Sequence, residues 1–158
     1  QAFHELKNKY EEKLHLSFPM TYGAKPEYLA EIKQLLKQSG YSYSIFDSFL
    51  SSKEVAVIRK TAGFVVNVQT TDAFSGSLQD HLYCNEILLI GEWLQYTLLD
   101  RNKVFYLKTS LKNLTANIDN ALSHLNAYNN SCVGNHEKMA SITSWAFVMN
   151  KWVAAYGE

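Results

Sequence analysis

The sequence predicts a three-layer α/β fold, a mostly parallel sheet of about five strands with helices on both faces. Three observations predict it. Apolar or alternating runs of strand length recur along the chain, amphipathic stretches of helix length separate them, and Pro or Gly marks several junctions. Strand and helix alternating at this spacing make βαβ units, whose strands run parallel and whose crossovers are right-handed. With 158 residues, 47% of them hydrophobic and 19% charged, the chain is expected to form one domain over residues 1–158 with a core of its own.

The elements follow in order. "AFHELKNKYEEKL" has helical composition and "LHLSF" is a short strand ending at Pro19. "KPEYLAEIKQLLKQSG" puts Leu29, Ile32, Leu35 and Leu36 on one helix face, with Pro26 near its start and Gly40 past its end. "YSYSIF" alternates as a strand does. "SSKEVAVIRKTAG" offers Ser51 and Glu54 as a capping box, and "FVVNV" is β-branched enough for a strand buried on both faces. "SGSLQDHLYC" then reads as a short helix, "EILLI" as a strand, "WLQYTLLDR" as a helix and "VFYL" as the fifth strand. Leu111, Leu114, Ile118, Leu122 and Leu125 predict one long helix, and residues 133–158 a C-terminal helix carrying Trp145, Phe147, Trp152 and Val153.

Bulk properties exclude several function classes. Lys+Arg and Asp+Glu both number 15, so no net field recruits nucleic acid or an anionic membrane. No apolar run approaches the ~18 residues of a spanning helix. Cys84 and Cys132 lack metal-site spacing and are expected to be reduced thiols. The five histidines never fall at i and i+4, so no metal site is expected. His81 is expected at the surface.

The segment with the most chemistry is "QTTDAFSGSLQDHLYCN", which leaves the "FVVNV" strand. Ligands of open parallel sheets bind outside the carboxyl ends of strands, and a helix start there offers unpaired N–H groups and a positive dipole end to an anion. Ser75, Gly76 and Ser77 would let a diphosphate approach the backbone. Asp80 lies about 8 Å further along the helix axis, roughly the distance from a diphosphate to its ribose, and shares a face with Ser77. The same residues also make an ordinary helix start, with Asp72 as the cap and Asp80 in solvent.

"DAFSGSLQDHLYCN" resembles the signature of retaining glycosyltransferases of two-domain GT-B architecture that use nucleotide-activated sugars. Asp72 and Asp80 stand at the two acidic positions of that signature, where the family has Glu, with seven residues between them. Asn85 stands where a Gly usually closes the helix. "SFPMTYG", "FDSFLSSKEVAVIRKTAGFVVNV" and "GEWLQYTLLD" are similar to further family segments in the same order, so the likeness spans about residues 14–127.

The resemblance implies a Rossmann-like, donor-binding half of a sugar transferase of bacterial surface-polysaccharide biosynthesis. Asp80 would hold the ribose hydroxyls of a UDP-, GDP- or similar nucleotide-sugar. The backbone around Ser75, Gly76 and Ser77, with Thr71, would hold the diphosphate. Asp72 would be catalytic, near the sugar hydroxyls or the reacting phosphate. Tyr22 and Gly23 would line the donor pocket, and Phe46 to Phe49 would lie near the base. Neither metal nor cofactor is implied. A basic Arg and Lys pair is implied in a loop after a first strand, both before Gln1, as is a separate acceptor-binding domain. The acceptor would be a saccharide or a lipid-linked sugar, the location cytoplasmic at the inner face of a membrane, and this chain alone inactive. The alternative is a non-catalytic interaction or regulatory domain of the same shape. Trp145, Phe147, Trp152 and Tyr156 read as a face docked against this domain, or against the partner domain, rather than a sugar platform.

Overall fold

The computed structural model describes residues 2–21 and 25–157. It is an α/β protein in which, among the described residues, all five strands pair in parallel. They lie in two sheets, one of two strands and one of three, rather than in one. The chain correspondingly divides into two compact units, Gln1–Val57 and Ile58–Glu158.

The first unit holds the short helices α1 (Ala2–Glu5) and α2 (Lys7–Tyr10), then β1 (His15–Pro19), α3 (Pro26–Ser39) and β2 (Ser42–Phe46). The single helix expected at the start is interrupted at Leu6. β1 and β2 pair with Leu16 opposite Tyr43 and Phe18 opposite Ile45. His15 bridges two serines of the neighbouring strand, its Nδ1 2.8 Å from Ser42 Oγ and its Nε2 2.9 Å from Ser44 Oγ. Pro26 opens α3, and Gly40 ends it at φ 81, where a Cβ would also lie 2.4 Å from Lys7 Nζ. α4 (Ser52–Thr61) starts in this unit and ends in the next. Its predicted capping box forms: the Ser51 N–H donates to Glu54 Oε2 at 2.7 Å, and the Glu54 N–H to Ser51 Oγ at 3.3 Å.

The second unit is a three-stranded sheet of β3 (Phe64–Asn67), β4 (Ile87–Gly91) and β5 (Leu107–Thr109), with β4 central and every one of its residues buried. A near-continuous Ile-Leu-Leu-Ile run suits such a strand because neither face meets water. α5 (Gly76–Tyr83) connects β3 to β4, and α6 (Thr97–Arg101) connects β4 to β5. Leu78 and Leu82 of α5 pack with Leu88 and Ile90 of β4, with Tyr96 and Leu99, and with Met139 of α9 (Asn135–Thr143). Between them lie α7 (Leu114–Ser123) and α8 (Leu125–Cys132), and α10 (Trp145–Tyr156) follows α9.

Four boundaries differ from the sequence expectation. The fifth strand begins at Leu107 instead of Val104. The buried Asn135 side chain takes the Phe105 backbone for itself, accepting its N–H and donating to its C=O, both at 2.8 Å. Helix α6 begins at Thr97 instead of Trp93, because Leu94 N–H closes a turn onto Gly91 O at 2.9 Å and the Trp93 indole is drawn to Gln69 O. The single helix expected over residues 133–158 is two. Ser144, in extended conformation, ends α9 and caps α10 by accepting the Phe147 N–H at 3.4 Å. The helix expected across Leu111 to Leu125 is likewise divided, at His124.

α10 buries none of its residues, and Trp145 at its start is 75% exposed. Among the described residues, no helix is long and apolar enough to cross a membrane.

Candidate functional site

At the carboxyl end of β3 the chain builds a hydrogen-bonded network around Asp72. Its carboxylate accepts the Ser75 N–H at 3.2 Å, the Ser75 hydroxyl at 3.4 Å and the Tyr96 hydroxyl at 2.5 Å. Ser75 Oγ in turn accepts the Leu78 N–H at 3.4 Å and caps α5. Tyr96 is buried. Burial above all, and then the bond to Asp72, pushes its ionisation well above the ordinary tyrosine range, so the hydroxyl stays a donor. Behind it, Gln69 Nε2 donates to Asn67 Oδ1 at 2.9 Å, and the Trp93 indole N–H donates to Gln69 O at 2.8 Å, joining the segments after β3 and β4. Gly91 admits this arrangement because a Cβ there would lie 2.5 Å from the Trp93 ring.

Phe74, inside the loop, adopts φ 62, a left-handed conformation that costs a bulky residue energy. Its ring packs on Tyr96 at 5.8 Å between centroids, and its C=O accepts Gln79 Nε2 at 2.8 Å. Beyond it, Gly76 and Ser77 are exposed, and a Cβ built on Gly76 would meet nothing within 4 Å. The exposed side of the first turn of α5 is thus Gly76 and Ser77, while Leu78 turns into the core.

Asp80 lies one turn further, its side chain 52% exposed and paired through Oδ2 with Arg59 of α4. The next residue, expected at the surface, instead turns inward. His81 Nδ1 bonds Glu86 Oε2, and Glu86 is only 6% exposed. Burial raises the Glu86 carboxyl above its ordinary range against the opposing pull of His81, and Glu86 Oε1 is buried with no hydrogen-bond partner. A 3.6-residue period puts His81 100° round the helix from Asp80, towards Glu86. Cys132 donates to Glu86 O at 3.5 Å, and burial pushes its thiol up to about 11. Both cysteines are free thiols.

α5 ends in a Schellman turn. Asn85 carries φ 60, its N–H donates to Leu82 O at 3.1 Å, and the Glu86 N–H donates to His81 O at 3.2 Å.

Of the residues singled out in the sequence, Asp72, Ser75, Gly76, Ser77 and Asp80 occupy one loop and the helix it opens, with Thr71 exposed beside Asp72. Asp72 is committed to Ser75 and Tyr96, and Asp80 to Arg59, so each acidic side chain already has a partner. Tyr22 and Gly23 lie outside the described residues, and Phe46 to Phe49 belong to the first unit. Sequence reasoning missed Arg59 and the bond from Tyr96 to Asp72. Both act across 20 or more residues, which local spacing does not register. Among the described residues, no group of three or more His, Cys, Asp or Glu side chains is disposed to hold a metal ion.

Comparison with protein-family models, with curated proteins and with solved structures gives no match to this chain.

Proposed function

We propose that this chain is the donor-binding half of a retaining sugar transferase, and that the mouth of β3 and α5 takes the nucleoside diphosphate of a nucleotide-sugar. The observation that carries the reading is the exposed start of α5 at Gly76 and Ser77, in the connection that leaves the parallel strand β3, with Ser77 and Asp80 on the same helix face. A diphosphate would accept the Gly76 and Ser77 N–H groups and the Ser77 hydroxyl, aided by the helix dipole. Asp80 would accept the ribose hydroxyls. Two further features support the reading. Asn85 adopts the left-handed conformation that the family's Gly would adopt, and Phe74 holds a strained one beside the loop, as functional sites often do.

In this reading the helix start stabilises the charge of the departing nucleoside diphosphate, the largest electrostatic task of the transfer. Asp72 contributes from its fixed position, with Tyr96 donating to it. The acceptor, a saccharide or lipid-linked sugar, binds on a separate domain, and the whole enzyme works in the cytoplasm at a membrane's inner face in polysaccharide synthesis. Titrating the chain with UDP and GDP tests the reading. Binding in the micromolar to millimolar range, lost at least tenfold on Asp80→Ala with the fold intact by circular dichroism, supports it. Silence from every nucleoside diphosphate refutes it.

A second reading has an observation of its own. Ser75, not Asp72, caps α5; Asp72 braces that cap and Tyr96, and Asp80 is half of an ion pair, which suffices to explain both in a non-catalytic domain of the same shape. The exposed Trp145, Trp152 and Tyr156 of α10 would then be its contact face.

A further inference from the structure

Arg59 has no role in the reading above, yet it is the cation nearest the carboxylate on which ribose recognition depends. It lies in the last turn of α4, its side chain 23% exposed against 52% for Asp80, so the arginine is the better anchored of the two. Its guanidinium bonds Asp80 Oδ2 from the end of α4, which places it against the flank of α5. We propose that Arg59 is a positioning residue that fixes the Asp80 carboxylate for the paired hydroxyls of a ribose. The inference rests on the donor-binding reading.

The physical case has three steps. A half-exposed aspartate on a helix samples several rotamers, and a ligand that needs one of them must order it on binding. A guanidinium bond removes that freedom beforehand. An ionised carboxylate offers about four acceptor sites, so one bond to Oδ2 leaves room for two ribose hydroxyls.

Calorimetric titration of the full chain tests this with three probes: the nucleoside diphosphate that binds best among UDP, GDP, ADP and CDP, its 2′,3′-dideoxy analogue, and inorganic pyrophosphate. The wild type is expected to prefer the ribonucleotide by about tenfold or more, as for hydrogen bonds to a charged group. Arg59→Ala should bring that preference to within about threefold of unity while leaving pyrophosphate affinity unchanged. Arg59→Lys should recover part of it, and Arg59→Ala should add nothing in an Asp80→Asn background. A full ribose preference in folded Arg59→Ala overturns the positioning role and leaves an ordinary surface ion pair. Equal losses for pyrophosphate and ribonucleotide overturn it too, and make Arg59 a phosphate contact. Should Arg59→Ala fail to fold, Arg59→Gln gives the same ratio. Absence of any nucleoside diphosphate binding by the wild type defeats the donor-binding reading itself, and the inference with it.

Discussion

Asn85 Oδ1 accepts the backbone N–H of His136 at 2.8 Å, so the residue that ends α5 also caps the start of α9. The Tyr83 C=O accepts from His136 Nδ1 at 3.0 Å, and the two rings lie 3.9 Å apart. Glycine satisfies the left-handed φ of 60 at position 85 without strain but cannot make the cap. Asn85→Gly should therefore lose about 1 kcal/mol, the usual value of a capping bond. Asn85→Ala should lose about 2 kcal/mol, because a Cβ at positive φ adds about 1 more. Urea unfolding of the three proteins should rank them Asn, Gly, Ala.

The bonds around Asp72 separate a structural role from a chemical one. Asparagine keeps an acceptor for the Ser75 N–H and for Tyr96, so Asp72→Asn should cost less than about 1 kcal/mol of stability. Asp72→Ala should cost about 1.5–3 kcal/mol, the range for hydrogen bonds to a charged group. Tyr96→Phe should cost a similar amount. In the Asp72→Ala background its effect should shrink by at least about 0.5 kcal/mol, as contacting residues do. Additive effects would show that the Tyr96 to Asp72 bond contributes nothing. If Asp72 acts on the sugar, the Asn variant alone should bind nucleoside diphosphate normally yet transfer poorly in the complete enzyme.

What could be read from the sequence follows the range of the forces involved. β4 was legible because four consecutive apolar residues leave no face for water, and α3 because Pro26 and Gly40 mark its ends. The Ser51 and Glu54 box was legible because both partners lie within one helical turn. Phe105 was not: its sequence is that of a strand, but its hydrogen bonds go to an amide side chain 30 residues away. At the candidate site, the loop and the helix start were legible, whereas the Arg59 partner of Asp80 and the Tyr96 partner of Asp72 come from the neighbouring elements. The division of the strands into two sheets left no mark in local composition either.

Glu86 should give the protein an unusual acid-side profile. Its carboxyl is raised by burial, so between the ordinary carboxylate value and the raised one the folded chain binds more protons than the unfolded chain. Stability falls as pH rises through that window and is then constant. Asp100, lowered by its bond to Tyr106, and Glu54, lowered by Ser51, act oppositely and at lower pH. Their contributions are present above the ordinary carboxylate value and are lost as pH falls through the lowered one. Subtracting the stability of Glu86→Gln from that of the wild type at each pH isolates the Glu86 part. The difference should decline from pH 4 upwards and then level. A flat difference would mean that the His81 contact and the Arg59 field fully offset burial.

Asn135 gives the sharpest stability test, because a single wholly buried side chain satisfies both backbone groups of Phe105. Asn135→Ala removes two hydrogen bonds, leaves a donor and an acceptor without partners and opens a gap under α9. The expected cost is about 2–4 kcal/mol, at the upper end of single substitutions. Asn135→Asp keeps the shape and the acceptor for the Phe105 N–H but sets an anion opposite the Phe105 C=O. Protonating that carboxyl restores the missing donor, so the folded chain holds the proton above the ordinary carboxylate value and stability rises as pH falls through the window. Thermal unfolding of Asn135→Asp should thus approach the wild type near pH 4 and fall furthest below it near pH 7. The Ala variant should show a nearly constant deficit over the same range. Equal deficits for both variants at every pH would place the cost in packing rather than in the two hydrogen bonds.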